Sequence, residues 1–312
     1  MEKQSFAQRI KLYDRIIWIC LVFFCAYLLF GELLDYAFEL IINKIPGTSV
    51  AFKFVMGGYA ARIGSIIALF FICLIPKNRE IWKSFIPTKK DKSMQKLWAG
   101  MLIGFLMNFF CILCAILHGD IKLYFDLALK NLPILIVGVA AVMIQSAQEE
   151  VWTRGFMYER INVHYPLWVA MLVNAVVFGA LHGANPGITP LAMADLILCG
   201  LGFSLLKWYT GSIWAPIGVH TMWNYTQNLI FGLPNSGIVS EASFFHMDAV
   251  NATSNWIYDY TFGVEGAVPG VFVDLLLGVL CLYLGWKQGR IGELFETKEK
   301  KNTPPEVAIS IE

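Results

Sequence analysis

An all-α polytopic membrane protein is the fold class this sequence predicts, and three observations carry that. The 312 residues are 57% hydrophobic and only 15% charged, whereas soluble domains carry about 25% charged residues. Mean hydropathy is +0.59. Apolar runs of the length a helix needs to cross a bilayer, about 20 residues, recur along the whole chain. Lys and Arg gather in alternate connecting segments, as the positive-inside rule requires. A net charge of +1 supplies no basic field for nucleic acid, so no nucleic-acid partner is expected.

By length the chain divides into about eight spanning helices, at 16–38, 54–76, 97–117, 131–150, 165–182, 188–206, 213–231 and 268–286. The first follows a basic N-terminus as a signal peptide would. It is long, however, and no small-residue cleavage pattern follows it, so it reads as a retained span. Glu32, Asp35 and Glu39 sit at i, i+3 and i+7 in its outer half and read as a solvated helix end. The 77–96 loop carries seven Lys and Arg and reads as a topology determinant beside anionic lipid. The sixth run starts raggedly at Gly187, Pro190 and Asp195.

With the N-terminus inside, the inner segments hold Lys3, Arg9, Lys11 and Arg15, the basic 77–96 loop, Arg154, Arg160, Lys207 and the tail from Lys287. The outer ones hold only Lys44, Lys53, Lys122 and Lys130. Both termini are therefore expected in the cytoplasm, with a bacterial cell membrane as the setting. The 232–267 loop has no Lys or Arg. Its Trp256, Tyr258, Tyr260 and Phe262 suggest a segment lying on the outer leaflet, with a lid over a substrate path as the alternative. Asn251-Ala252-Thr253 matches a glycosylation sequon. The tail from Glu293 is charged and expected to be disordered. Four units result: three helices over 1–130, a core over 131–231, the external loop 232–267, and a last span with its tail over 268–312.

The polar residues inside the apolar runs carry the functional argument. Each charge near a bilayer centre costs roughly 2.5–3.5 kcal/mol on insertion scales, yet Glu149, Glu150 and Arg154 close the fourth run. Glu150 and Arg154 are i and i+4 and can pair on one helix face. Glu149 points about 100° away from Glu150 at about 3.6 residues per turn, which leaves Glu149 for chemistry. The fifth run ends Phe178-Gly-Ala-Leu-His182, and the seventh carries His220-Thr-Met-Trp-Asn224. His220 and Asn224 share a face. A lone membrane His is usually an interhelical hydrogen bonder. Two imidazoles, two carboxylates and an amide together are the parts for activating water and stabilising an oxyanion. Glu149, His182 and His220 are equally a donor set that zinc accepts, so no cofactor is certain and zinc is allowed. No His-Glu-x-x-His helix and no Gly-x-Ser-x-Gly elbow occurs. Cys111 and Cys114 form a Cys-x-x-Cys, but all seven cysteines lie in apolar runs and read as small buried hydrophobes.

Asn108, Gln145, Gln148, Asn174, Asp195 and Asp274 are the other polar groups in the spans. Asn174, two turns before His182, is placed on the same cavity. Asp195 reads first as hydrogen-bonded to a neighbouring helix, with a place in the site as the alternative.

Glu149-Glu150-x-x-x-Arg154, Phe178-x-x-x-His182 and His220-x-x-x-Asn224 resemble the three motifs of the CPBP intramembrane proteases, the CAAX-protease and bacteriocin-processing (Abi) family. Thr210 to Val219, ahead of His220, has the same look. The resemblance covers about residues 130–231. It implies an intramembrane endopeptidase acting on a membrane-associated or prenylated peptide, a leader peptide or a protein at the bilayer. Within it Glu149 looks like the general base and His182 a positioner of water. His220 and Asn224 look like oxyanion donors, and Glu150 and Arg154 like supports. The alternative is a peptide-binding or bacteriocin-immunity protein without proteolysis. A transporter is disfavoured by the absence of repeats.

Straight helices leave a geometric tension. A helix starting at Tyr165 carries His182 about 26 Å towards the outer face, at about 1.5 Å per residue, away from Glu149. The groups meet only if the fourth helix runs on to about Asn162, which raises Glu149 into the bilayer.

Overall fold

The computed structural model describes residues 14–125, 127–248 and 256–299. Lys3, Arg9 and Lys11, the Asn251 sequon and the tail beyond 299 lie outside the described residues. Eight main helices follow in order. They are α1 (Ile16–Asn43), α2 (Val50–Cys73), α3 (Ser93–His118), α4 (Leu129–Asn162), α5 (Leu167–Leu181) and α6 (Pro190–Thr210). Then come α7 (Trp214–Asn224, continued by a π-helical stretch, Tyr225–Ile230) and α8 (Val268–Lys287). The protein is an all-α polytopic membrane protein.

Six of these helices, not eight, are long and apolar enough to cross a membrane: α1–α4, α6 and α8. The two exceptions have physical causes. Helix α5 has only 15 residues, because Pro166 starts it and the chain turns at His182. Helix α7 is walled in by protein: His220, Asn224, Gln227 and Asn228 are buried on it alongside its apolar residues. A helix polar along one face and buried all round belongs to the interior rather than to lipid. Helix α4 does run to Asn162, widening to π-helical hydrogen bonding over Val151–Met157, just past the two carboxylates.

Helix α7 packs most extensively on α3, then on α4; α6 packs on α5 and α8. The α3–α7 contact is a contact of backbones. A Cβ added at Gly100 would lie 2.2 Å from the Ala215 carbonyl oxygen, at Gly104 2.1 Å from that of Val219, and at Gly218 2.2 Å from that of Leu97. Small residues four apart let membrane helices approach this closely. Polar bolts complete the bundle: Tyr59 on α2 donates to Asn228 at 2.7 Å, Trp152 on α4 to the Ser65 carbonyl at 3.0 Å, and Asn108 on α3 to Gln227 at 2.7 Å.

Three expectations are corrected. Asp35 is no solvated helix end. It is buried, accepts from the Ser65 amide (2.7 Å) and hydroxyl (2.5 Å), and lies 3.6 Å from Arg62, which also pairs with Glu32 at 3.0 Å. An acidic stripe facing a guanidinium on α2 is a helix–helix contact, which one helix's own periodicity cannot display. The 232–267 segment does not merely lie on a leaflet. Trp256 and Tyr260 are exposed, but Tyr258, Phe262, Val264 and Glu265 are buried in the bundle. Its β2 (Phe245–Asp248) pairs antiparallel with β1 (Lys122–Phe125), tying the segment to the α3–α4 connection. The tail is ordered as far as described: Leu294 is buried, and the Leu167 amide donates to the Glu296 carbonyl at 3.2 Å.

Gly104→Val places branched carbons against the Val219 carbonyl and should cost about 3 kcal/mol or more, the upper range of overpacking. Gly58→Ala meets nothing within 4 Å and should be neutral. Thermal unfolding of the purified proteins in detergent checks this; a wild-type midpoint for Gly104→Val would sink the close-approach account.

Candidate active site

The bundle contains a partly open cavity of about 320 Å³, and Glu149, His182, His220 and Asn224 all line it. The length of α4 and the shortness of α5 resolve the tension in the sequence. Glu149 sits well before the end of its helix, and His182 follows only 15 helical residues. The His182 Nε2 and Glu149 Oε2 atoms are 3.9 Å apart, and His220 Nε2 lies 3.8 Å from the same oxygen. Glu149 Oε2 is buried with no hydrogen-bond partner among the described residues.

The rings are fixed from behind. Nδ1 of His182 is 2.9 Å from the Phe178 carbonyl oxygen one turn earlier. Nδ1 of His220 is 3.0 Å from Glu150 Oε1. A carbonyl and a carboxylate only accept, so both Nδ1 atoms must carry the proton that is donated. As neutral rings, both therefore turn a lone pair at Nε2 towards Glu149. Three acceptors converging on one point call for a donor between them, and a water molecule supplies two protons. Phe178 packs on His182 with ring centroids 4.8 Å apart, and Phe203 and Phe178 flank His220 at 5.7 and 6.1 Å.

Glu150 and Arg154 are paired as their spacing predicts, at 3.1 Å, and neither is exposed to any extent. The guanidinium also donates to the Gly200 carbonyl on α6 (3.1 Å) and lies 4.3 Å from the Phe178 ring centroid. Lys207 donates to the Arg154 carbonyl at 2.6 Å. One cation thus holds Glu150, and Glu150 holds His220.

Gln145 is the site residue that motif reasoning did not single out. Its amide donates to Glu149 Oε1 at 2.5 Å, and its carbonyl oxygen accepts from Asn224 at 3.0 Å. The signal was its i−4 spacing from Glu149, one turn earlier on the same face. The chain of bonds continues from Asn235 to Asn224 (3.2 Å) and from Asn235 to Glu265 (2.6 Å). Glu265 also accepts from Trp223, Gln227 and the Ser236 amide. Burial raises the Glu265 carboxyl above the ordinary carboxylate range, and these donors oppose the rise.

Asp195 and Asp274 line the cavity as well. Asn174 does not: it is fully buried and accepts from Ser204 at 3.3 Å. A helix face predicts direction but not which neighbour fills it. Among the described residues no group of three or more His, Cys, Asp or Glu side chains is arranged to hold a metal ion.

Residues 131–226 match the family model described as Rce1-like, type II CAAX prenyl endopeptidase Rce1-like. Over these residues the chain is similar to the Rce1-like family. That agrees with the CPBP resemblance of the three motifs, and the Rce1-like region contains every motif residue from Glu149 to Asn224. Helices α1–α3 and everything after residue 226 lie outside it. No curated protein and no solved structure matches the chain.

Removing one partner of a buried ion pair strands the other charge, at a cost of about 3–5 kcal/mol. Arg154→Met should accordingly lower folded yield and the thermal midpoint sharply. Adding Glu150→Gln in the same chain should restore much of the loss. A single variant as stable as the wild type would show that the pair is not what holds the site.

Proposed function

We propose that the protein is an intramembrane endopeptidase that hydrolyses a peptide bond with a water activated by Glu149. One observation carries the reading: a buried carboxylate oxygen with no hydrogen-bond partner among the described residues, between two backed imidazoles, on a partly open cavity. The Rce1-like match supports it independently.

In this mechanism a water lies between Glu149 Oε2 and the two Nε2 atoms. Glu149 takes its proton as the oxygen attacks the scissile carbonyl carbon. His182, pinned to the Phe178 carbonyl, accepts the water's second hydrogen and fixes its line of attack. The tetrahedral oxyanion needs donors. The Asn224 amide nitrogen has a second hydrogen beyond the one given to Gln145. His220 is a donor to the oxyanion only while its Nε2 also carries a proton, beside the one Nδ1 gives to Glu150. Glu149 then returns the proton to the leaving amine, and the bond breaks. Gln145 holds Glu149 Oε1, so Oε2 stays turned to the rings. The substrate class that fits is a peptide held at the bilayer, either prenylated near its C-terminus or a leader peptide. No step passes through a metal.

Glu149→Gln and His182→Ala should each abolish cleavage of a panel of prenylated and unprenylated peptides while leaving folded yield unchanged. Unaltered cleavage in either variant would remove that residue from the mechanism, and metal analysis of the same samples would test zinc separately. Asn224→Ala should lower kcat by about 10²–10³-fold, the scale of one oxyanion donor. An effect confined to KM would make Asn224 a substrate binder instead.

A further inference from the structure

The cavity holds more negative charge than the proposed chemistry uses. Beside Glu149 it is lined by Asp195 on α6, Asp274 on α8 and Glu265 in the segment before α8. These three carboxylates act electrostatically on one another. Against them, Arg62 is the one Lys or Arg among the cavity-lining residues, and it is already engaged by Glu32 and Asp35. Glu265 is satisfied by four donors. Asp195 is not: it exposes 1% of its surface, and its Oδ1 is buried with no hydrogen-bond partner among the described residues. The fold makes room for this carboxylate, since a Cβ at Gly270 would lie 2.7 Å from its Oδ2.

An unpaired buried carboxylate is costly until a proton or a cation meets it. The geometry points to a subsite here for a basic side chain of the substrate, a lysine or arginine beside the scissile bond. Asp195 and Asp274 receive its charge, and Glu265 adds to the field. The inference rests on the reading that this cavity takes a peptide. A bound metal ion is the weaker occupant, because no group of three His, Cys, Asp or Glu among the described residues is arranged for one. The recess is also continuous with the space at Glu149, which only a chain-like ligand fills together with the charge site. Field focusing in a low-dielectric cleft of one sign strengthens the selection.

The test is direct binding, which needs no turnover. The full-length Glu149→Gln protein in detergent is titrated with fluorescent octapeptides of Ala and Leu. Each carries a single lysine at a scanned position and is paired with a norleucine counterpart. At one position or two neighbouring positions, lysine should bind about 10-fold tighter than norleucine. Adding Asp195→Asn and Asp274→Asn should reduce that ratio to below about 2-fold, with norleucine peptides bound as before. Equal affinity of each pair in the Glu149→Gln parent, or no binding of any lysine peptide, would overturn the subsite and show the carboxylates neutralised by protons. A lysine preference that survives the added substitutions would place the charge site elsewhere. If the double substitution unfolds the protein, Asp195→Asn alone must reduce the ratio. Wild-type protein that binds the preferred lysine peptide without cleaving it would sink the protease reading and leave the subsite standing.

Discussion

The Arg154–Glu150 pair is a salt bridge with no access to water, and the centre of the molecule is arranged around it. Neither charge is tolerable alone in this position. Together they fix α4 to α6 through the Gly200 carbonyl and to α7 through His220. The guanidinium lies over Phe178, whose carbonyl holds the other imidazole. The two histidines are therefore aimed by one ion pair, one ring directly and one by way of the phenylalanine beneath it. A buried pair of this kind contributes little net stability against an apolar replacement. Its value lies in holding Nδ1 of His220 as a donor and in setting the direction of both Nε2 atoms.

Backbone proximity is the second constraint. Helix α7 reaches the interior because α3 offers glycines where its own carbonyls arrive. With ordinary side chains there, α7 would stand off and carry His220 away from Glu149. The π-helical stretch after Glu150 acts on the same problem from α4. It adds backbone within a turn where the chain passes from carboxylates to guanidinium, and such local widening recurs at functional sites.

Much of this was legible in the residues. The i, i+4 spacings of Glu150 and Arg154, of Phe178 and His182, and of His220 and Asn224 are local facts, and a helix turns local spacing into contact. The extension of α4 to Asn162 followed from requiring Glu149 and His182 to meet. What was not legible depended on neighbours. Asp35 looked solvated because its partners, Ser65 and Arg62, stand on another helix. Tyr258 and Phe262 looked interfacial because aromatic residues suit a membrane surface and a protein core alike. Helix α7 counted as a span by apolar content, although protein rather than lipid surrounds it. Asn174 shared a face with His182 by spacing, yet Ser204 occupies that face.

Helices α1 and α2 close the cavity with Tyr27, Leu28, Phe54, Tyr59 and Arg62, and they lie outside the Rce1-like region. Glu149 with the two histidines and the front wall of the chamber thus come from separate stretches of chain, joined mainly by packing and by bonds such as that from Trp152 to Ser65. The shape of that wall can drift by substitution without disturbing the bonds that aim Glu149 and the histidines. On the proposed function, the stretch that carries Glu149 and the histidines is distinct in sequence from the two helices that shape what can reach them. Grafting different first and second helices onto the same remainder is therefore the rational route to retargeting such a protein.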